Sequence, residues 1–424
     1  MSVVGRLKPS AWGVKNLVKH GKHSSPTKHK PFKRSFPHDI LCLVAEWAAF
    51  LDFASLKLFS LANKACFDAA NRFLWRNVTI LWHGAKVRSF GALDEQLDVL
   101  VHSPYALRRL RHVKYLTLEF NAHIAQRERS RVMKRLSLLL ESSTTLCSLD
   151  LSDGLDELAL GSLLLHTSLP ELGLVELRYQ PKPTPAFVSF LIDHLSLRRL
   201  WLDHTQAQSM LLADMPDSSL PNLEVIHVHC DLLQTFVQGR PIKYISTTAR
   251  SSTLASVWQA LSSSSTPVRS LSLRLQGPRA FKRLLSDLPE YGSSLRFLGC
   301  SWEDSPISAL LKSDFSALRT LDSLECVRWS GSKLGSYLHA ENDAWNPSTY
   351  AGPALEVVQF EVDVNEGKGG KFVEEGMWLK CQDDAWTLRK RCFASPPLRH
   401  GRDRFVSFQM PISCASNILA DHQV

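Results

Sequence analysis

The side chains best suited to chemistry in this chain are His227, His229 and Cys230, in the run His227-Val228-His229-Cys230. Imidazole nitrogen and thiolate sulfur are typical zinc ligands, and residues two apart on a β-strand point to the same side. A structural zinc site takes four such ligands, and no second cluster with ligand spacing accompanies this pair. The expectation is therefore surface side chains and no metal. Other patterns fail on spacing. Gly367-Lys368-Gly369-Gly370-Lys371 has glycines and lysines but lacks G-x-x-x-x-G-K followed by Ser or Thr, so it reads as a flexible loop. Asp363, Asn365 and Gly367 alternate as calcium ligands do, yet the Gly and the closing Glu are misplaced. Cys381 and Cys392 read as packed or surface thiols, and no G-x-S-x-G elbow occurs. These residues predict no catalytic group, no cofactor and no enzyme. Recognition remains, and that depends on the elements that present the side chains.

The chain has 424 residues, 44% of them apolar and 21% charged, enough to bury a core in two or three units. Its longest apolar stretch, Ile40 to Leu51, is short of the about 20 residues a membrane span needs, and it contains Glu46. No membrane association is expected. Nine cysteines without a CxxC pair read as reduced thiols of a cytoplasmic or nuclear protein. The net charge of +9 is unevenly placed. Residues 1–35 carry nine basic side chains and no acid, which leaves 41 Lys plus Arg against 41 Asp plus Glu in the body. A globally basic nucleic-acid surface is not supported; polyanion contact is confined to this basic, disordered leader, which also reads as a nuclear-import tail.

Two signals organise the body. From Phe36-Pro37 to about Trp75 apolar residues recur at helical spacing, and Asp52 offers an N-cap between two helices. Three short helices in so few residues cannot bury much between themselves. Beyond them Leu/Val-x-x-Φ-x-Φ, with Φ apolar, recurs nine times, starting at Val113, Leu146, Leu172, Leu197, Leu223, Val268, Leu295, Leu324 and Leu355. The starts differ by 33, 26, 25, 26, 45, 27, 29 and 31 residues, and the long gap predicts a degenerate copy near Pro241-Ile242-Lys243-Tyr244-Ile245. Helical patterns lie between: Ala125 to Glu141, Pro185 to Leu195, Leu254 to Leu261, and Arg279 to Leu288, the last ended by Pro289. Strand, turn and helix at this period form an α/β solenoid with parallel strands on the concave side and helices on the convex side. The expected organisation is a leader (1–35), a helical unit (36–80), a helical linker or cap (81–112), the repeats (113–410) and a tail (411–424).

The repeats resemble leucine-rich repeats, although where that family places Asn or Cys only Asn121 conforms, so an irregular solenoid without a continuous amide ladder is expected. Phe36 to Ile80 resembles an F-box, with Phe36-Pro37-His38-Asp39-Ile40 as its opening and Leu61-Ala62-Asn63-Lys64 as its corner. Together the two are similar to fungal F-box proteins with irregular leucine-rich repeats. The resemblance implies a substrate-recognition subunit of an SCF-type ubiquitin ligase, docking a Skp-family adaptor and through it a cullin, while the repeats hold a protein client. It implies an adaptor surface of Phe36, Pro37, Ile40, Leu41, Val44, Leu56 and Leu61, part of it also the unit's own core, Leu61 foremost. The alternative is a repeat scaffold with no ubiquitin role, its helices only capping the first open face of the solenoid.

In a leucine-rich strand the residue between the two Φ positions and the one after them alternate out of the core toward solvent. This places Asp150, Glu176, Arg178, Trp201, Asp203, His227, His229, Arg274 and Arg328, with Ser152, Ser272 and Ser330, on the client-facing side. Trp201 and Arg178 are of the types that dominate binding energy at interfaces; the alternative is that a loop or the C-terminal segment covers Trp201.

Overall fold

The computed structural model describes residues 36–82, 97–98, 101–120, 126–151, 163, 173–202, 210–213, 215–302, 315–331, 347–349, 351–366, 370–380 and 386–394. The leader (1–35) and the tail (411–424) lie outside them. The chain divides into two compact units between Leu174 and Val175.

The first unit opens with α1 (His38–Leu51), α2 (Phe53–Ala62) and α3 (Lys64–Leu74). Polar side chains set their boundaries. The Asp52 carboxylate accepts from the Ser55 backbone N–H at 2.7 Å and hydroxyl at 2.8 Å, and these bonds lower its pKa. Asn63 caps α3 by accepting from the Cys66 N–H at 2.9 Å. Pro37, with ψ 144°, directly precedes α1 and lends its carbonyl to the Leu41 N–H. The three helices close a small core of Leu41, Ala45, Leu56, Cys66, Ala69 and Ala70, with Phe59, Phe73 and Leu74 packed against it.

The chain then enters β1 (Asn77–Trp82), which pairs in parallel with β2 (Tyr115–Phe120), and β2 pairs in parallel with β3 (Ser148–Leu151). The parallel sheet of this unit thus begins at Asn77, inside the stretch resembling an F-box. Two helices connect the strands, α4 (Pro104–Leu110) and α5 (Gln126–Ser142). On α5 Val132, Leu136, Leu139 and Leu140 are buried, the stripe that the periodicity predicts.

In the second unit β4 (Glu176–Tyr179), β5 (Arg199–Leu202), β6 (Val225–His227), β7 (Tyr244–Arg250), β8 (Ser270–Gln276), β9 (Phe297–Trp302), β10 (Cys326–Gly331) and β11 (Val357–Glu366) run parallel in chain order. The degenerate copy expected near residue 245 is β7. One row in register, Leu177, Leu200, Ile226, Ile245, Leu271, Leu298, Val327 and Val358, is wholly buried. Each such side chain contributes about 1.5–3 kcal/mol of burial. The helices α6 (Pro185–Asp193), α7 (Met210–Ala213), α8 (Leu233–Val237), α9 (Leu254–Ser263) and α10 (Pro278–Tyr291) occur between the strands. Rings join strand to helix: Tyr179 stacks on Phe187 at 3.7 Å, and Trp329 meets Phe281 edge-on at 5.5 Å. Among the described residues no helix is long and apolar enough to cross a membrane.

Three expectations need correction. Pro289 lies inside α10 and does not end it; the helix runs on to Tyr291, since one lost N–H in the final turn is tolerable where burial of Leu284, Leu285 and Leu288 holds the helix. The parallel array does not extend to residue 410. It stops at β11, and β12 (Gly370–Lys380) and β13 (Trp386–Ala394) pair antiparallel. Only residues 367–369 join β11 to β12, far too few for the crossover a parallel pair requires. The same pairing places Gly370 and Lys371, expected in a flexible loop, in β12.

Polar side chains in the turns before the strands tie successive coils together. Thr145 donates to the Arg111 carbonyl at 2.6 Å, Asn222 to Leu195 at 2.8 Å, Ser264 to Arg240 at 3.0 Å and Ser294 to Val268 at 3.0 Å. Each acceptor lies 24 to 34 residues earlier, so one coil is tied to the preceding one. Arg240 serves the same end on a larger scale. Fully buried, it donates to the carbonyls of Ser219 at 2.8 Å and Pro216 at 3.1 Å, and to that of Thr235.

Candidate functional site

Two surfaces carry the expected contacts, one in each unit. The first is the outer face of α1 and α2. Because Leu41, Ala45 and Leu56 turn inward, the residues between them turn out: Ile40, Leu43, Val44, Trp47 and Leu51 recur at three- and four-residue steps along one side of α1. Phe36, Phe50, Leu58 and Leu61 are also exposed, Phe50 at 80% and Leu61 at 61%. Trp47 and Phe50 meet edge-on at 6.1 Å. Large apolar side chains gathered in this way on a unit whose core is already closed mark an interaction surface.

The structure redistributes the residues assigned to this surface. Phe36, Pro37, Ile40, Val44 and Leu61 are exposed, whereas Leu41 and Leu56 are core, at 7% and 1% exposure. Leu61, expected foremost in the core, is on the surface. Leu56 and Leu61 are five residues apart, a rotation of about 140° on a helix, so the two cannot share a face. Leu43, Trp47, Phe50, Leu51 and Leu58 are additions. Their signal in the sequence is the apolar run Ile40 to Leu51, which no single amphipathic face accommodates.

The second surface is the sheet face of the second unit opposite the buried row. On β4–β6 it is half-exposed. Arg178, Trp201 and His227 are neighbours in register. The Arg178 guanidinium lies over the Trp201 ring at 4.8 Å, and Glu176 receives both Arg178 at 3.3 Å and Arg199 at 3.7 Å. His227 Nδ1 sits 2.8 Å from the Ser246 hydroxyl. Burial first, then the Arg178 and Arg274 charges, push the His227 pKa down to about 4, so the ring is neutral near pH 7. The cluster gathers two arginines, one carboxylate, an indole and a neutral imidazole on one face, a cationic and aromatic surface.

Toward β8–β11 the same face is packed. Ser272 and Arg328, expected in solvent, are buried, as are Phe297, Cys326 and Val357, which form an apolar cluster across β9–β11 in one register row. Apolar residues on this side make it interior, which overrides the alternation rule there. Arg274 and Ser330 are half-buried. Asp150 is half-buried on β3 in the first unit. Asp203 and Ser152 lie outside the described residues.

His229 leaves the sheet altogether, because β6 ends at His227. A single 3-10 turn, Cys230–Leu232, follows, and His229 caps it. The histidine pair expected to share a strand face is therefore separated, and His229 is gathered instead with Cys230 and Asp231. Its Nδ1 is 3.1 Å from Asp231 Oδ2, and Cys230 Sγ is 3.7 Å from both His229 Nδ1 and Asp231 Oδ1. Burial and the neighbouring Asp231 carboxylate raise the Cys230 pKa, while a Thr253 hydrogen bond opposes them.

No protein-family model matches the chain, and no curated protein matches it. Among solved structures it is similar to a chain of the crystal structure of the Rad7 and Elc1 complex in yeast. The identity is 17% and the TM-score 0.29, with 76% of this chain and 87% of that chain covered. A likeness of this size carries no functional argument. The repeat architecture rests on this chain's own strands, parallel from β1 to β3 and from β4 to β11.

Proposed function

We propose that the chain is a non-enzymatic, cytoplasmic or nuclear substrate-recognition subunit of an SCF-type ubiquitin ligase. Its N-terminal helices dock a Skp-family adaptor, and the half-exposed sheet face of β4–β6 holds a protein client. The observation that carries this reading is the exposed stripe Ile40, Leu43, Val44 and Trp47 with Leu61 on a unit whose own core is closed. The resemblance to an F-box in the same residues supports it.

A capping function accounts for a different part of the unit. The Arg109 guanidinium of α4 lies 5.5 Å from the Phe67 ring and 5.4 Å from the Trp75 ring, so α3 and its end face the helix that precedes β2. That contact supports the scaffold reading for α3. It gives no reason for large apolar side chains on the outer side of α1 and α2. Co-purification of the full chain with a Skp-family adaptor and a cullin decides between the two. Stoichiometric capture, lost on replacing Ile40 and Leu61 by Ala, supports the ligase reading. No capture of a correctly folded chain leaves the scaffold.

A further inference from the structure

We propose that His229, Cys230 and Asp231 form a binding site for a divalent cation of the zinc class, with three protein ligands and one position open to water.

The argument is geometric. Three consecutive residues in an extended strand cannot converge, because alternate side chains point apart. Here the strand ends at His227 and the chain turns at once into Cys230–Leu232, which swings Asp231 back beneath His229. The result is one nitrogen, one sulfur and one carboxylate around a common point. Zinc bond lengths with tetrahedral angles require N···O near about 3.3 Å and S···N and S···O near about 3.6 Å. His229 Nδ1 lies 3.1 Å from Asp231 Oδ2 and 3.7 Å from Cys230 Sγ, the sulfur lies 3.7 Å from the other carboxylate oxygen, Oδ1, and one ligand atom from each residue falls within 4.8 Å of the others.

A divalent cation takes the imidazole lone pair, the thiolate and the carboxylate together. Nitrogen with sulfur selects zinc and its borderline neighbours over magnesium or calcium, which prefer all-oxygen shells. Asp231 is exposed and Cys230 buried, so the cation would enter from the solvent side against a closed wall. His227 does not complete the shell, since its Nδ1 already faces Ser246.

Cobalt(II) is the probe, because a thiolate ligand gives it a charge-transfer absorption that histidine and carboxylate ligands do not. Titrating the reduced full chain with cobalt should raise that band to saturation at one equivalent, and added zinc should abolish it. Cys230→Ser should remove the band with the circular dichroism unchanged. Asp231→Asn, an exposed change that leaves the fold intact, should weaken cobalt binding roughly tenfold or more. The absence of a thiolate band in the full chain overturns the proposal. So does a band that persists undiminished in Cys230→Ser, which would assign the metal to another cysteine.

Discussion

Replacing Leu56 and Leu61 one at a time separates the core of the helical unit from its docking surface. Both leucines lie on α2, and both carry the same side chain, so their helix propensities cancel in the comparison. Leu56 is 1% exposed and packs in the three-helix core, and its truncation to Ala should cost about 3 kcal/mol as lost transfer energy and a cavity. Leu61 is 61% exposed, and its truncation should change stability by no more than about 0.5 kcal/mol. Binding should invert this order. If the adaptor covers the exposed fraction of Leu61, the loss is about 1.5 kcal/mol, or about tenfold in Kd. With Ile40→Ala added, at 41% exposure, the combined loss should reach roughly 2.5 kcal/mol, about 50-fold or more in Kd. Native-state hydrogen exchange of the α1–α3 amides reports the opening energy of this unit apart from the repeats. In Leu56→Ala these amides should exchange about 100-fold faster, and in Leu61→Ala at the native rate. Adaptor affinity is then read on the folded variants by calorimetry. Equal protection losses in both variants would refute the assignment of faces. Unchanged adaptor affinity in the Ile40 and Leu61 double variant would refute the docking surface.

Other expectations follow from the second unit. The folded pKa of His227, about 4, lies below its ordinary value near 6.5, so the unfolded chain binds more protons between these limits. Stability should be unaffected by this group above pH 6.5 and should fall as the pH drops from 6.5 toward 4. His227→Gln should flatten that part of the urea-midpoint profile. Arg240→Met should lower the thermal midpoint sharply, because it strands the carbonyls of Ser219, Pro216 and Thr235, each about 1–3 kcal/mol if buried and unpaired. Arg240→Lys should rescue little, since one ammonium cannot reproduce the fork. Arg178→Ala with Trp201→Ala should abolish client capture in proximity labelling while adaptor affinity holds; retention of every client would move the binding surface elsewhere. Gly292→Ala should destabilise although its φ of −94° suits any residue, because the added Cβ would sit 2.7 Å from the Leu288 carbonyl oxygen.

Periodicity alone determined the strands and most of the helices. A strand that must bury one side on helices repeats Φ-x-Φ wherever it occurs, so the strands from β2 on follow the pattern and even the degenerate copy is a strand. At β4, however, the start is Leu174 and not Leu172: Leu177 and Tyr179 pair with Leu200 and Leu202, and Val175 is only half-buried. The cap at Asp52 is a local bond within one turn of chain, legible from the residue type, whereas the same role of Asn63 is seen only in the structure. Facing was legible only in part. Leu56 and Leu61 are equally apolar, and which of them enters the core depends on where α1 and α3 lie against α2. Arg328 and Trp201 occupy the same strand position, yet one is interior and the other half-open, because Phe297, Cys326 and Val357 make the β9–β11 end of that face a packed one. The reversal at β12 needed only a chain too short to cross over. The gathering of His229 with Cys230 and Asp231 depended on a strand stopping one residue early, at His227. Alternation assumes that the strand continues, and only the tertiary structure decides where it ends.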